Sequence, residues 1–317
     1  MDRSNHLQDQ RKNTFVQYSV GNKNFHTITL MITVLTTAIG GGSMMRIIPN
    51  VYNYDIYYIF VVFLGAIKPF LLISILSFRM GPFMNHLSIA DTIGSVYGKY
   101  PRAITALLSI CLCISLTSIE INIISDIIRI YIRSIDHRVI TFMVALYLIS
   151  YTILGGVRAI TVSDVLQFII LMTILFLIIK FLFIKTGKSL LEIILILKEE
   201  KRFQLNHVFQ NNRKLIKLVI HFIGSFFYIT PSVIHRLYTC CSPTQVYKVF
   251  SLASILGLVI KGCFVLIGIL IFIDSPNLVV KNFSSDMWNE LNDPPLSSRM
   301  VNLCASHMHH FFQVSIA

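Results

Sequence analysis

Charge is what this 317-residue chain has least of. Lys, Arg, Asp and Glu make up 13% of it, against roughly a quarter in a soluble domain. That deficit excludes a soluble globular or disordered protein. A cleavable signal peptide is also lacking, because the first 25 residues are polar with no early apolar run. The six cysteines (Cys111, Cys113, Cys240, Cys241, Cys263, Cys304) show neither zinc-ligand spacing nor a disulfide framework. Cys111, Cys113 and Cys263 lie inside apolar runs and read as small hydrophobes. The formal charge is +12, yet no basic cluster sits on a soluble fold, which excludes nucleic acid as a partner. An ATP-binding motif is lacking too.

What is present is apolar length. Hydrophobic residues make 55% of the chain and the mean hydropathy is +0.70. A bilayer takes about 20 apolar residues per helical span, and seven candidate spans follow: A (26–45), B (56–78), C (101–132), D (139–154), E (161–184), F (215–238) and G (249–273). The expected fold is an all-α polytopic membrane bundle. Its sections are a polar N-terminal tail (1–25), five spans (26–184), a basic amphipathic connector (185–214), two spans (215–273) and a polar C-terminal tail (274–317). The apolar stretch at 190–197 is too short to cross and predicts an interfacial helix. Ser88 is placed to cap a short helix with Asp91 in its first turn, and Pro101 is expected at the first position of span C. Seven spans put the chain ends on opposite sides of the bilayer. Cations on the two sides nearly balance, so they do not orient it. Heavy use of Ile and Lys with little Ala suggests AT-rich codons, as in small bacterial genomes; with the apolar spans, the expected location is a bacterial inner membrane, crossed several times.

Polar features inside apolar spans default to functional hypotheses. Glu120 lies mid-span C. It either pairs with a basic neighbour such as Lys68 or Lys261, or faces a solute pathway. Span A carries Gly40, Gly41, Gly42 and Ser43. These residues either let helices pack closely or unwind the span, so that carbonyls bind a cation and free amides face an anionic group. Gly155 and Gly156 break span D, and Pro231 interrupts span F. Two broken helices, A and F, separated by four unbroken ones match the first helices of two five-helix inverted repeats. A proline kink alone is common.

Three stretches carry a family resemblance. Span A reads TTAIGGGSMM, preceded by QYSVGNKNFH. The D–E junction reads YTILGGVRAITVSDVLQ, from Tyr151 to Gln167. Span F ends in TPSVIHR. Together they resemble the sodium:solute symporter family, which includes the sodium/proline, pantothenate and sodium/glucose cotransporters. The resemblance implies a LeuT-type inverted repeat and sodium-coupled symport of a small organic solute, with sodium as coupling ion and no other cofactor. It places cation-binding carbonyls at Thr36 and Ile39. Solute-facing groups would be Gly40, Gly41, Gly42, Ser43, Glu120, Thr230 and Ser232. Gating and coupling would fall to Asp164, Gln167, Pro231 and Arg236. Glu120 stands where many members carry a glutamine. Pro231 resembles the proline and pantothenate branch rather than the sugar branch.

The chain departs from the family at both ends. A span before A and core helices eight to ten have no counterpart, so the second repeat is expected to be incomplete and the product a truncated member. Alone, it is expected to run sodium-coupled transport poorly, since hydroxyls from helix eight would complete the sodium site. A second polypeptide carrying the missing helices then becomes a candidate partner beside solute, sodium and lipid. Two other functions stay open: a non-transporting membrane remnant or sensor module, and a polytopic membrane enzyme. The clustered His307, His309 and His310 lack a carboxylate or cysteine at ligand spacing, so the enzyme reading has little to stand on.

Overall fold

The computed structural model describes residues 15–21, 23–53, 56–132, 135–200, 203–204, 212–224 and 229–274. Every regular element among them is helical. The helices are α1 (Thr27–Ala38), α2 (Gly41–Asn53), α3 (Ile56–Leu76), α4 (Ile89–Tyr97), α5 (Lys99–Tyr131), α6 (His137–Thr186), α7 (Leu190–Glu199), α8 (Asn212–Gly224), α9 (Pro231–Tyr238) and α10 (Pro243–Asp274). A 3-10 stretch, Ser77–Phe83, extends α3.

Four helical segments are long and apolar enough to cross a membrane: Ile56–Phe83, Lys99–Arg129, Thr152–Thr186 and Pro243–Asp274. The pair α1 and α2, bent by 58°, makes a fifth if counted as one span. Seven were expected. Span D appears as the shorter apolar helix His137–Ser150, and span F is divided between α8 and α9. Among the described residues, none of these three helices alone has the length that a straight crossing needs.

The core is built on α10. Its sequence is apolar all round, as befits a helix with neighbours on several sides, and it buries residues from Val246 to Phe272. Apolar burial does not drive helices together in lipid; close packing and interhelical hydrogen bonds do. Both are visible here. Gly268 lets α2 approach, since a Cβ there would stand 2.9 Å from Val51. Against α3, the Ser74 and Ser251 hydroxyls meet at 2.7 Å and the Phe70 and Phe250 rings lie 6.3 Å apart. Helix α5 is the opposite case. Its 33 residues bury almost nothing apolar, so it lies at the edge of the bundle with its apolar surface outward.

Local signals explain most helix ends. The Ser88 hydroxyl accepts the Asp91 amide at 3.2 Å, as expected. Ser189 and Glu192 form a reciprocal capping box that starts α7. Pro101 is not the first helical residue, because α5 already starts at Lys99. At the D–E junction the helix bends rather than ends: Gly156 alone leaves helical geometry, at φ 56°, ψ −158°. Tyr18 lies against this bend. Its hydroxyl shares one proton between the carbonyls of Thr152 (3.0 Å) and Ile153 (3.1 Å), in the turn just before the bend. Residues 15–20 are themselves helical, so the expected polar tail is partly a docked element. The C-terminal tail beyond Asp274, with its histidines, lies outside the described residues.

Candidate functional site

The site begins where α1 stops. Ile39 leaves helical geometry (φ −123°, ψ 69°), and its amide still reaches the Leu35 carbonyl at 2.7 Å. The chain restarts as α2 at Gly41, with the Ser43 amide donating to the Gly40 carbonyl at 3.0 Å. The glycines therefore open a second helix instead of weakening one long helix. A helix end leaves its last carbonyls without ladder partners, and a helix start does the same to its first amides. Thr36 lies in that last turn and Ile39 just beyond it, so oxygen dipoles and N–H dipoles converge on one break. Thr36 donates back to the Ile32 and Thr33 carbonyls (3.0 and 3.1 Å), and Thr37 donates to Thr33 at 2.7 Å.

Glu120 reaches this break from mid-α5. A Cβ on Gly40 would lie 2.6 Å from Glu120 Oε1, so the carboxylate as placed lies directly against the glycine and would shift for a larger residue. The Gly42 amide donates to the same oxygen at a long 3.4 Å. The expected alternative, a pair with Lys68 or Lys261, does not form. Lys68 Nζ donates to the Phe222 carbonyl at 2.8 Å and lies over that residue's ring. Lys261 Nζ donates to the Gly65 carbonyl at 3.2 Å.

A second cluster lies beside the break. Arg236 Nη2 donates to Asp164 Oδ2 at 2.6 Å, and Arg236 Nε donates to the Thr37 hydroxyl at 3.2 Å. Both charged residues are 8% exposed. Three elements meet in these two bonds: the last turn of α1, α6 just after its kink, and the short helix α9. Sequence reasoning singled out Asp164 and Arg236 separately, without pairing them, and it missed Thr37. The only signal for Thr37 was its place one residue after Thr36.

The break in span F is built by capping. Pro231 is the first helical residue of α9, where its missing N–H costs nothing, and the Thr230 hydroxyl accepts the Val233 amide at 3.4 Å. Thr230 is thus occupied as a cap, while Ser232 touches Cys113 of α5 at 3.8 Å, Oγ to Sγ. Gln167 stands apart. It is exposed and donates to Ser163 of its own helix at 3.2 Å. No group of three or more His, Cys, Asp or Glu residues among those described has the arrangement of a metal site.

No family model and no curated protein sequence matches the chain. Among solved structures, the substrate-bound, outward-open state of a Na+-coupled sialic acid symporter superposes with a TM-score of 0.73 over 90% of this chain, at 16% identity. The chain spans 61% of that symporter's length. The fold of this protein is therefore the all-helical bundle seen in that structure.

Proposed function

We propose that this chain is a secondary active carrier, coupling sodium entry to uptake of a small organic solute. The observation that carries the reading is the break at Ile39–Gly40, where loose carbonyls, loose amides and the Glu120 carboxylate meet beside the buried Asp164–Arg236–Thr37 cluster. Carbonyl dipoles suit a hard cation such as sodium, and discontinuous helices near the bilayer midplane are the usual carrier device. In this reading the carbonyls of Thr36 and Ile39 bind sodium, and Gly40–Ser43, Glu120 and Ser232 face the solute. Asp164 and Arg236 couple α6 and α9 to the break. A sodium ion that favours one conformer raises its population and so the apparent solute affinity.

Seven crossings complete the topology, with the short span D and the broken span F counted beside the five clear ones. A bacterial inner membrane is the proposed location. The Thr230–Pro231–Ser232 corner favours an amino-acid-like or pantothenate-like solute over a sugar. The test is uptake of proline, pantothenate and related solutes into vesicles holding the purified chain. Uptake that rises with an inward sodium gradient, not with potassium, and falls in Asp164→Ala supports the reading. Solute entry and solute binding that both ignore sodium overturn it.

A further inference from the structure

Glu120 is a carboxylate within a candidate span that has no counter-cation among the described residues. The ion pairs among the described residues are Arg102–Asp91, His137–Asp126, Lys185–Asp274 and Arg236–Asp164, and Glu120 belongs to none of them. Lys68 and Lys261, the lysines of the neighbouring spans, bond to carbonyls of Phe222 and Gly65. An ionised carboxylate inside a bilayer is costly unless paired, and one amide at 3.4 Å does not neutralise it. The packing brings this group close to the chain break: a Cβ at Gly40 would stand 2.6 Å from Oε1, and the carboxylate would have to shift to admit it. The carboxylate also sits over the first amides of α2, the place where an anion would otherwise be received. A solute cation arriving here would hold the carboxylate ionised and pair with it, whereas a solute anion would meet like charge or a neutral acid, with no cation among the described residues to receive it.

Building on the carrier reading above, we propose that Glu120 sets the charge class of the solute. The solute carries a positively charged nitrogen that pairs with Glu120, and solutes whose only charge is negative are refused. Of the two solute classes favoured at the Thr230–Pro231–Ser232 corner, this selects the amino-acid-like one over the pantothenate-like one. Exclusion by an unfavourable charge is as much a specificity device as attraction.

The experiment uses the full chain in lipid nanodiscs, read by thermal melting and by calorimetric titration in sodium and in potassium buffer. The probes are matched pairs: proline against cyclopentanecarboxylate, which lacks only the charged nitrogen, and choline against its uncharged carbon isostere. At least one nitrogen-bearing probe should stabilise the wild type and bind about tenfold or more tightly than its partner. Glu120→Gln, which keeps shape and removes charge, should erase that preference while its own unliganded melt stays close to wild type.

Several results would overturn the proposal. One is that neither nitrogen-bearing probe outbinds its isostere; another is that Glu120→Gln keeps the preference. A third is that Glu120→Gln loses a sodium-induced shift alone, which would assign the carboxylate to sodium. The carrier reading fails separately. A Glu120-dependent preference with no sodium-driven uptake sinks only the carrier, while sodium-driven uptake of an anion unaffected by Glu120→Gln sinks only this proposal.

Discussion

Asp164→Asn changes one charge and almost no volume, and its cost follows from the geometry around Arg236. In the wild type the guanidinium has a carboxylate oxygen at 2.6 Å and the Thr37 hydroxyl at 3.2 Å, with its side chain 9% exposed. After the change the positive charge keeps the hydroxyl and loses its counter-charge in a place water barely reaches. Breaking a buried pair from one side costs about 3–5 kcal/mol, mostly for the charge left behind. Arg236→Met strands the Asp164 carboxylate in the same way and should cost a similar amount. The double variant removes both charges and keeps most of the volume, so it should be more stable than either single one. A coupling of about 2 kcal/mol or more is expected. The assay is unfolding by SDS titration in mixed micelles, followed by circular dichroism, on the wild type and the three variants. Single variants that each cost less than about 1 kcal/mol, or that simply add in the double, would refute the reasoning. The pair would then behave like an exposed one and could not hold α1, α6 and α9 together.

Two further outcomes are expected. Gly156→Ala should destabilise the chain by about 1–3 kcal/mol or more, from the backbone strain of φ 56° and from a Cβ placed 2.7 Å from the Tyr18 ring; Tyr18→Phe should cost only about 1 kcal/mol for its lost hydrogen bond. Detergent melting curves check both, and a Gly156→Ala protein as stable as wild type would refute the account of the kink. In the turn between α9 and α10, burial pushes the Cys240 thiol up to about 12, while its neighbour Cys241 is exposed. Maleimide near neutral pH should therefore label Cys241 and spare Cys240 until SDS is added, as read by peptide mass mapping; equal labelling of the folded protein would count against this packing.

Much of the helical framework was legible because its signals are local. Apolar length marked the long spans, Ser88 and Asp91 marked the start of α4, and three consecutive glycines marked the break after α1. The difference between seven candidate spans and the four or five clear ones has the same origin: hydropathy sees length, but it does not see the bend at Gly156 or that α9 starts afresh at a capped proline. The pairings were not legible. Asp164 and Arg236 lie 72 residues apart, and no periodicity says that α6 and α9 meet at those positions. In lipid, burial of apolar surface does not choose helix partners, so the choice rests on small residues and hydrogen bonds scattered over the whole chain. Gln167 shows the limit of motif reading from the other side: it completes the junction pattern, yet it bonds within its own helix and faces outward.

The segment around residues 15–25 sets an order on biosynthesis. Its tethers lie far downstream: Lys23 donates to the Met84 carbonyl, Tyr18 bonds the carbonyls of Thr152 and Ile153, and the Phe25 carbonyl receives Gln245 from a distance of 220 residues. At roughly 5–20 residues per second, that last partner follows Phe25 out of the ribosome by about 10–45 s. During that interval α1 and α2 enter the bilayer without α10, the helix that packs against both. The Gly156 bend can be secured once Tyr18 and α6 coexist, but the clasp at Phe25 closes only after Gln245 has been made. A ribosome stalled between these two points would hold a chain whose hinge is set and whose core is still open, and hydrogen exchange on nascent chains of graded length would show the protection arriving in those two steps.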